Sequence, residues 1–201
     1  MVNLFFQKDT LGFFMKEIMK KLESLIHECG GEYGLNHSRR LIKLVDLIAD
    51  GKNYNKNIIL FCSFTHDLGA FSRYAKEGIH HAIRSREVAE TLLVNYNFDQ
   101  KEQQTILEVI ENHHNKFTGE SFESVLFRDA DALDFLGFIG IARDFSRIPK
   151  QLKKSFQSIH RHMKDLPELI ELQKAKGLAM ERIKEMEYFR KKFLQESLNH
   201  Y

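Results

Sequence analysis

The chain has 201 residues and a mass of 23.7 kDa, enough for one well-packed domain and short for two. Thirty Lys and Arg against 28 Asp and Glu leave a net charge of +2; this argues against a generic polyanion binder while leaving a local basic patch open, and without a basic stripe in view an obligatory nucleic-acid partner has little support. Hydrophobic residues at 43% and charged residues at 29% exclude a disordered chain, and with only two prolines and 11 glycines a many-turned sandwich or barrel is not expected.

In chain order, a period of 3.6 predicts helices throughout. Phe13, Phe14, Ile18, Met19, Leu22, Leu25 and Ile26 make the first stripe, stopped by Gly30-Gly31. Leu41, Leu44, Val45 and Ile48 repeat it before Asp50-Gly51. Ile58 to Cys62, followed by Phe64, is apolar all round; its length would suit a buried strand, but its flanks favour a helix through the core centre. Val88, Ala89, Leu92 and Leu93 form a further stripe, and Ile106, Leu107, Val109 and Ile110 the next. Leu126, Ala130, Leu133, Gly137 and Ile141 predict one more helix, with Gly137 and Gly140 allowing close contact. Pro149 and Pro167 are expected at helix starts, where a missing N–H costs least; a short amphipathic helix follows the first and a long charged helix the second. Phe122, Phe127, Phe135, Phe138 and Phe145 keep near-helical spacing and are expected in the core. The reading is a single all-α domain with helical extensions at both ends.

Cys29 and Cys62 lack C-x-x-C spacing, so neither a disulfide framework nor a thiolate zinc site is expected. No apolar run reaches membrane-span length, and charges at Lys8, Asp9, Lys16 and Glu17 interrupt the N-terminal phenylalanines. The expected address is cytoplasmic.

Six of the ten histidines fall between His37 and His114. His66-Asp67 follows the most apolar segment, and a carboxylate beside an imidazole at the end of a core helix is costly unless paired or bound to a metal. His37 is expected in the first turn of the Leu41–Ile48 helix. Asp129, Asp131 and Asp134 lie within one and a half turns of a helix otherwise apolar. Either a cation relieves their repulsion, or one points inward while the others make caps and salt bridges. His37, His66, Asp67 and one of these aspartates would form an N2O2 set suited to hard and borderline divalent ions.

The order His37, His66-Asp67, Asp131 resembles that of the metal-dependent HD-domain phosphohydrolases, a helical superfamily named for its His-Asp pair. Asn36-His37-Ser38, Phe64-Thr65-His66-Asp67-Leu68-Gly69, His81-Ala82-Ile83-Arg84-Ser85 and Ile110-Glu111-Asn112-His113 look like its first four motifs. Arg128 to Gly137, running on to Ile141-Ala142-Arg143, is similar to a subgroup of small stand-alone bacterial and archaeal hydrolases. The resemblance implies an HD-domain helical bundle over residues 30–145, with extensions at 1–29 and at 146–201, the latter packing on the core or on a partner.

It also implies metal ligands at His37, His66, Asp67 and Asp131, with Asp129 in support. Asp67, His81 and His113 become the expected catalytic groups, the two histidines either holding a second ion or serving as acid near the leaving group. Of the paired histidines, His80 and His114 are expected to face solvent, and His27, His160, His162 and His200 to lie on the surface. Lys76 and Arg84, between the second and third motifs, are expected to meet substrate phosphate. The implied reaction is hydrolysis of a phosphoester in a nucleotide or similar phosphorylated metabolite, with Mn, Mg, Co, Ni or Fe at one site and room for a second. Alternatives are a di-iron oxygenase or a non-catalytic nucleotide- or metal-binding regulatory module. No membrane association is expected. The C-terminal helices, through Leu169, Leu172, Met180, Ile183, Met186, Phe189 and Leu194, offer a face to the chain's own core, a partner or a second copy in a homodimer.

Overall fold

The computed structural model describes residues 3–117, 120–198 and 200–201, with side chains in the first helix from Ile18 onward. Phe13 and Phe14 of the first stripe therefore lie outside the described side chains. The described residues form eight α-helices and a short 3-10 turn: α1 (Asn3–Ile48), α2 (Lys56–Thr65), the turn at Leu68–Ala70, α3 (His81–Leu93), α4 (Gln100–Asn112), α5 (Phe122–Asp134), α6 (Gly137–Arg147), α7 (Leu152–Leu169) and α8 (Gln173–Glu196). No strand occurs among them, and none of these helices is long and apolar enough to cross a membrane. The all-α expectation holds. The chain divides into two compact units, residues 1–42 with 55–113, and residues 43–54 with 114–201.

In the first unit, α1 kinks at Gly31, whose φ of 58° and ψ of −156° lie outside helical space and in the left-handed half that favours glycine. The expected stop at Gly30-Gly31 is thus a kink within α1, and His37 falls in the second turn after it, one turn later than expected. Gly30 and Gly34 lie under the Phe71 ring; a Cβ on Gly30 would meet that ring at 2.6 Å. Asn55 caps α2, its side chain accepting from the N–H groups of Asn57 at 3.0 Å and Ile58 at 3.4 Å. α2 is buried at Ile58, Ile59 and every residue from Phe61 to Thr65, so the apolar run is a core helix and not a strand. It packs on α3 and α4, and Phe61 meets the rings of Tyr96 and Phe98 edge-on. A capping box between Asp99 and Glu102 starts α4.

In the second unit, Ser121 caps α5, which is buried at every position from Leu126 to Asp134. The helix expected to run on to Ile141 breaks after Asp134. Leu136 is extended, and Gly137 takes a φ of +75°, which lets α6 start in a new direction. A Cβ on Gly140 would overlap the Phe135 carbonyl, so the close contact this glycine permits is with the corner itself.

Pro149 precedes α7 as expected, but Pro167 sits in the last turn of α7, not at the start of α8. The α7–α8 connection is the extended segment after Leu169, and α8 starts without a side-chain cap. α8 buries Ala175, Ala179 and Met186 and packs on α5, α6 and α7 within the second unit. Phe145, Phe156, Phe189, Phe193 and Tyr201 form an aromatic cluster between α6, α7 and α8. Two surface expectations change. Phe138 is exposed, because the new direction of α6 turns it outward. His162 is not a surface residue: its Nδ1 lies 2.9 Å from the buried carboxylate of Asp144, which also accepts from Ser158 and Arg147.

Candidate metal centre

α2 ends at Thr65, and His66 closes its last turn, its N–H donating to the Cys62 carbonyl at 2.9 Å. The chain then reverses through Asp67 into the 3-10 turn. Gly69 pins this corner to α3: its N–H donates to Ser85 Oγ at 2.9 Å, and a Cβ at position 69 would press on the α3 backbone, 2.7 Å from the Ser85 nitrogen. Ser85 is the small residue of the third motif, four places after His81. It ties the His-Asp corner to the helix that starts with His81.

Four imidazoles of the first unit surround Asp67. Its Oδ2 lies 3.4 Å from His66 Nε2 and 3.9 Å from His37 Nε2, and those two nitrogens are 3.2 Å apart. Its Oδ1 lies 3.6 Å from His81 Nε2 and 3.9 Å from His113 Nε2. His37, His66 and His113 are buried, whereas the His81 side chain is 28% exposed. His66 Nδ1 lies 3.2 Å from the Cys62 carbonyl and His113 Nδ1 2.6 Å from the Ile110 carbonyl. A carbonyl can only accept, so both rings carry a proton on Nδ1, and in their neutral form Nε2 is a lone pair. Burial by itself would raise the Asp67 carboxyl, but the charge and hydrogen bond of His66, with His113 and His37 behind it, hold it well below the ordinary value. It is a carboxylate.

The set of His37, His66 and Asp67 fits a divalent cation on these observations. Its donor atoms stand 3.2–3.9 Å apart, close to the roughly 3.0–3.4 Å edges that ligand bonds of about 2.1 Å give in octahedral or tetrahedral coordination. A metal would take the place of the Nε2 proton that His66 shares with Asp67, the ring being oriented by the carbonyl behind it. Two imidazoles and a carboxylate suit borderline divalent ions.

The three aspartates of α5 are all buried, and each has its own neighbours within the second unit. Asp134 pairs with Arg143. Asp129 accepts from the N–H groups of Glu171, at 3.0 and 3.1 Å, and Leu172, at 2.7 Å, and so holds the segment that leads into α8. Burial pushes its carboxyl up to about 6 against the pull of these N–H groups and of Arg128. Beside it, buried Arg128 pairs with Glu120 and Glu171 and reaches the carbonyls of Leu169 and Asn115. Asp131 has His114 Nδ1 3.8 Å from its Oδ2. Two of the three acids therefore serve caps and salt bridges, the second of the alternatives open from the sequence.

Lys76 is exposed on the loop between the 3-10 turn and α3. Arg84 is committed to that loop: its Nε donates to the Tyr74 carbonyl at 2.7 Å and its Nη1 to Glu87 at 2.8 Å. His80 is exposed, yet its Nδ1 caps α3 by accepting from Ala82 N–H at 3.3 Å. The backbone partners at Cys62 and Ile110 could not be foreseen from residue identity, because carbonyls carry no letter. The i−4 and i−3 offsets from His66 and His113 were the signal available.

The HD domain family model matches residues 34–136, which takes in every motif from His37 to Asp131. The chain belongs to the HD domain family. A relative from Clostridium beijerinckii (strain ATCC 51743 / NCIMB 8052), described as an uncharacterized protein, is 29% identical over 130 residues, covering 64% of this chain and 80% of its own length. An HD-superfamily hydrolase from Bacillus thuringiensis superposes with a TM-score of 0.67 at 23% identity, covering 92% of this chain and all of its own. YpgQ of Bacillus subtilis, crystallised in complex with ADP, superposes with a TM-score of 0.68 at 20% identity, covering 90% and 94%. At these identities the structures share the fold.

Proposed function

We propose that this HD-domain protein is a metal-dependent hydrolase that cleaves a phosphoester of a nucleotide or similar small phosphorylated metabolite. The observation that carries the reading is the carboxylate of Asp67 set among four imidazoles, with His37 and His66 on one oxygen and His81 and His113 on the other. The proposed ligands are His37, His66, Asp67 and Asp131. Asp131 enters from the motif it shares with the family, supported by the engagement of Asp129 and Asp134 elsewhere in their own unit. The chemistry a divalent ion supplies at such a set is Lewis-acid polarisation of a phosphoryl oxygen and acidification of water.

The remaining roles follow from the residues themselves. Asp67, ionised, accepts a hydrogen bond from an attacking water and orients it. His113 in its neutral form keeps its proton on Nδ1 against Ile110, so its Nε2 is an acceptor or ligand. His81 is the most solvent-accessible of the four imidazoles, exchanges protons with water and is the better acid for the leaving oxygen. Lys76 meets the substrate phosphate, and Arg84 serves that subsite by holding the loop that carries Lys76. The ADP complex of YpgQ, a property of that protein, supports a nucleotide as the first substrate to try.

The decisive experiment is metal analysis of the purified protein, followed by phosphate release from a nucleotide panel with Mn²⁺, Co²⁺, Ni²⁺ and Mg²⁺. The double variant His66→Ala, Asp67→Ala is expected to lose both metal and turnover. Survival of both overturns the reading. One observation favours a second: His81 and His113 lie beside Oδ1 of Asp67, on the oxygen not facing His37 and His66, and would be the residues to hold a second ion. Two irons per chain with an oxygen-dependent activity would select an oxygenase. Thermal stabilisation by nucleotide without turnover would select the regulatory module.

A further inference from the structure

The net charge of +2 conceals a strong local asymmetry. Between Asp144 and Asp165 the chain has no acidic residue and six Lys or Arg, leaving 24 cations against 28 acids elsewhere. The local basic patch that the near-balanced total leaves open lies here, as a stripe the whole-chain count does not reveal. α7 buries Ser155, Phe156, Ser158 and Ile159 and turns Lys153, Lys154, Gln157, His160, Arg161 and Lys164 to solvent, with Lys150 in the turn before it. Of the six cations, Arg147 is spent on Asp144 and Ser158. Among the described residues Lys150, Lys153, Lys154, Arg161 and Lys164 enter no ion pair, and exposed acids, Asp165 and Glu168, appear only at the far end of α7. Phe156 stacks on Phe193 at 4.9 Å, which sets the N-terminal half of α7 beside the last turns of α8, where Arg190, Lys191 and Lys192 are also exposed, between Glu187 and Glu196.

We propose that the outward face of α7 docks the phosphate backbone of a double-helical nucleic acid. Lys153 to Lys164 span about 16 Å of helix, and a duplex presents one charge per roughly 1.7 Å of axis, so five cations each find a phosphate without strain. A single strand is disfavoured because the face offers no exposed Phe, Tyr or Trp for base stacking, Phe156 being buried and His160 its one exposed ring. Insertion into a lipid surface is disfavoured because the apolar side of α7 is already packed on α5, α6 and α8, leaving only half-exposed Leu152 outward. The contacts reach backbone phosphates alone, so binding is independent of base sequence and steeply dependent on salt.

The test is fluorescence anisotropy of a labelled 20-base-pair DNA duplex titrated with the full chain at several salt concentrations. Four or five phosphate contacts give a log–log slope near −4, so raising salt from about 50 to 200 mM weakens binding roughly 250-fold. The triple variant Lys153→Gln, Lys154→Gln, Arg161→Gln should flatten that slope by about 3, and Lys164→Gln alone by about 1. All four side chains are exposed, so the thermal midpoint should be unchanged, and a melt checks it. Equal slopes for wild type and triple variant overturn the proposal. So does binding to phosphatidylserine vesicles as tight as to the duplex and lost in the same variant, which would assign the face to a membrane surface.

Discussion

Asp129 and Asp131 stand two residues apart on α5 and are expected to fail in different ways. Asp129→Ala removes the acceptor of the Glu171 and Leu172 N–H groups and leaves Arg128 with its pairs to Glu120 and Glu171. Two stranded backbone donors cost roughly 1–3 kcal/mol each, and relief of the buried carboxylate, whose pKa stands near 6, offsets part of this. A net loss of about 2–3 kcal/mol is expected, lowering the thermal midpoint by roughly 5–10 °C for a chain of this size. Urea unfolding followed by far-ultraviolet circular dichroism measures it as a lower midpoint at unchanged slope. Metal content, measured well below the new midpoint, should be retained. Asp131→Ala should reverse the pattern, losing metal with a smaller change in midpoint. An exposed control, Asp165→Ala, should stay within about 0.5 kcal/mol of wild type. The reasoning is refuted if Asp129→Ala matches that control, or if Asp129→Ala and not Asp131→Ala empties the site.

Gly69→Ala should push the His-Asp corner off α3, because its Cβ would meet α3 backbone and the Cβ of Arg84, none of which can swing aside; a loss of about 1–3 kcal/mol and a drop in turnover are expected. Ser85→Ala strands the Gly69 N–H and should cost about 1–2 kcal/mol, with turnover falling more than metal affinity. Met186→Ala, fully buried in the α8 contact, should cost roughly 2–5 kcal/mol by urea unfolding without altering metal content. Neither thiol should react quickly with Ellman's reagent at pH 8 in the native protein. Cys62 is buried, and burial raises the Cys29 thiol against the opposing pull of Arg73, so its thiolate fraction and rate keep climbing as pH rises beyond its ordinary range. Immediate reaction of either native thiol would contradict the packing described.

Periodicity was a good guide wherever burial alone decides the backbone. The stripes around Leu41, Val88 and Ile106 all lie in helices, and the ambiguous run at Ile58 resolved as its flanks suggested. It failed where a single φ angle decides. Leu133, Gly137 and Ile141 keep helical spacing across a corner, and only the positive φ of Gly137 reveals that two helices meet there. Pro167 misled for a related reason: a proline near the end of a helix loses one backbone bond, a cost that the packing of α7 absorbs. At the site, the imidazoles and Asp67 were legible because their types and order are chemical. The roles of Asp129 and Asp134 were not, since their partners, the Glu171 and Leu172 N–H groups and Arg143, lie nine to 43 residues away. The basic face of α7 was hidden by averaging charge over the whole chain.

The groups that orient His66 and His113 are main-chain carbonyls of the turn before each ring. No substitution at Cys62 or Ile110 deletes them, so an alanine scan would find nothing behind these two rings. The electronics of the site are in this respect insulated from drift in its neighbouring side chains. They depend instead on the last turns of α2 and α4 staying wound. A proline or an insertion near either helix end would retune the imidazole that this end carries while leaving every expected ligand in place.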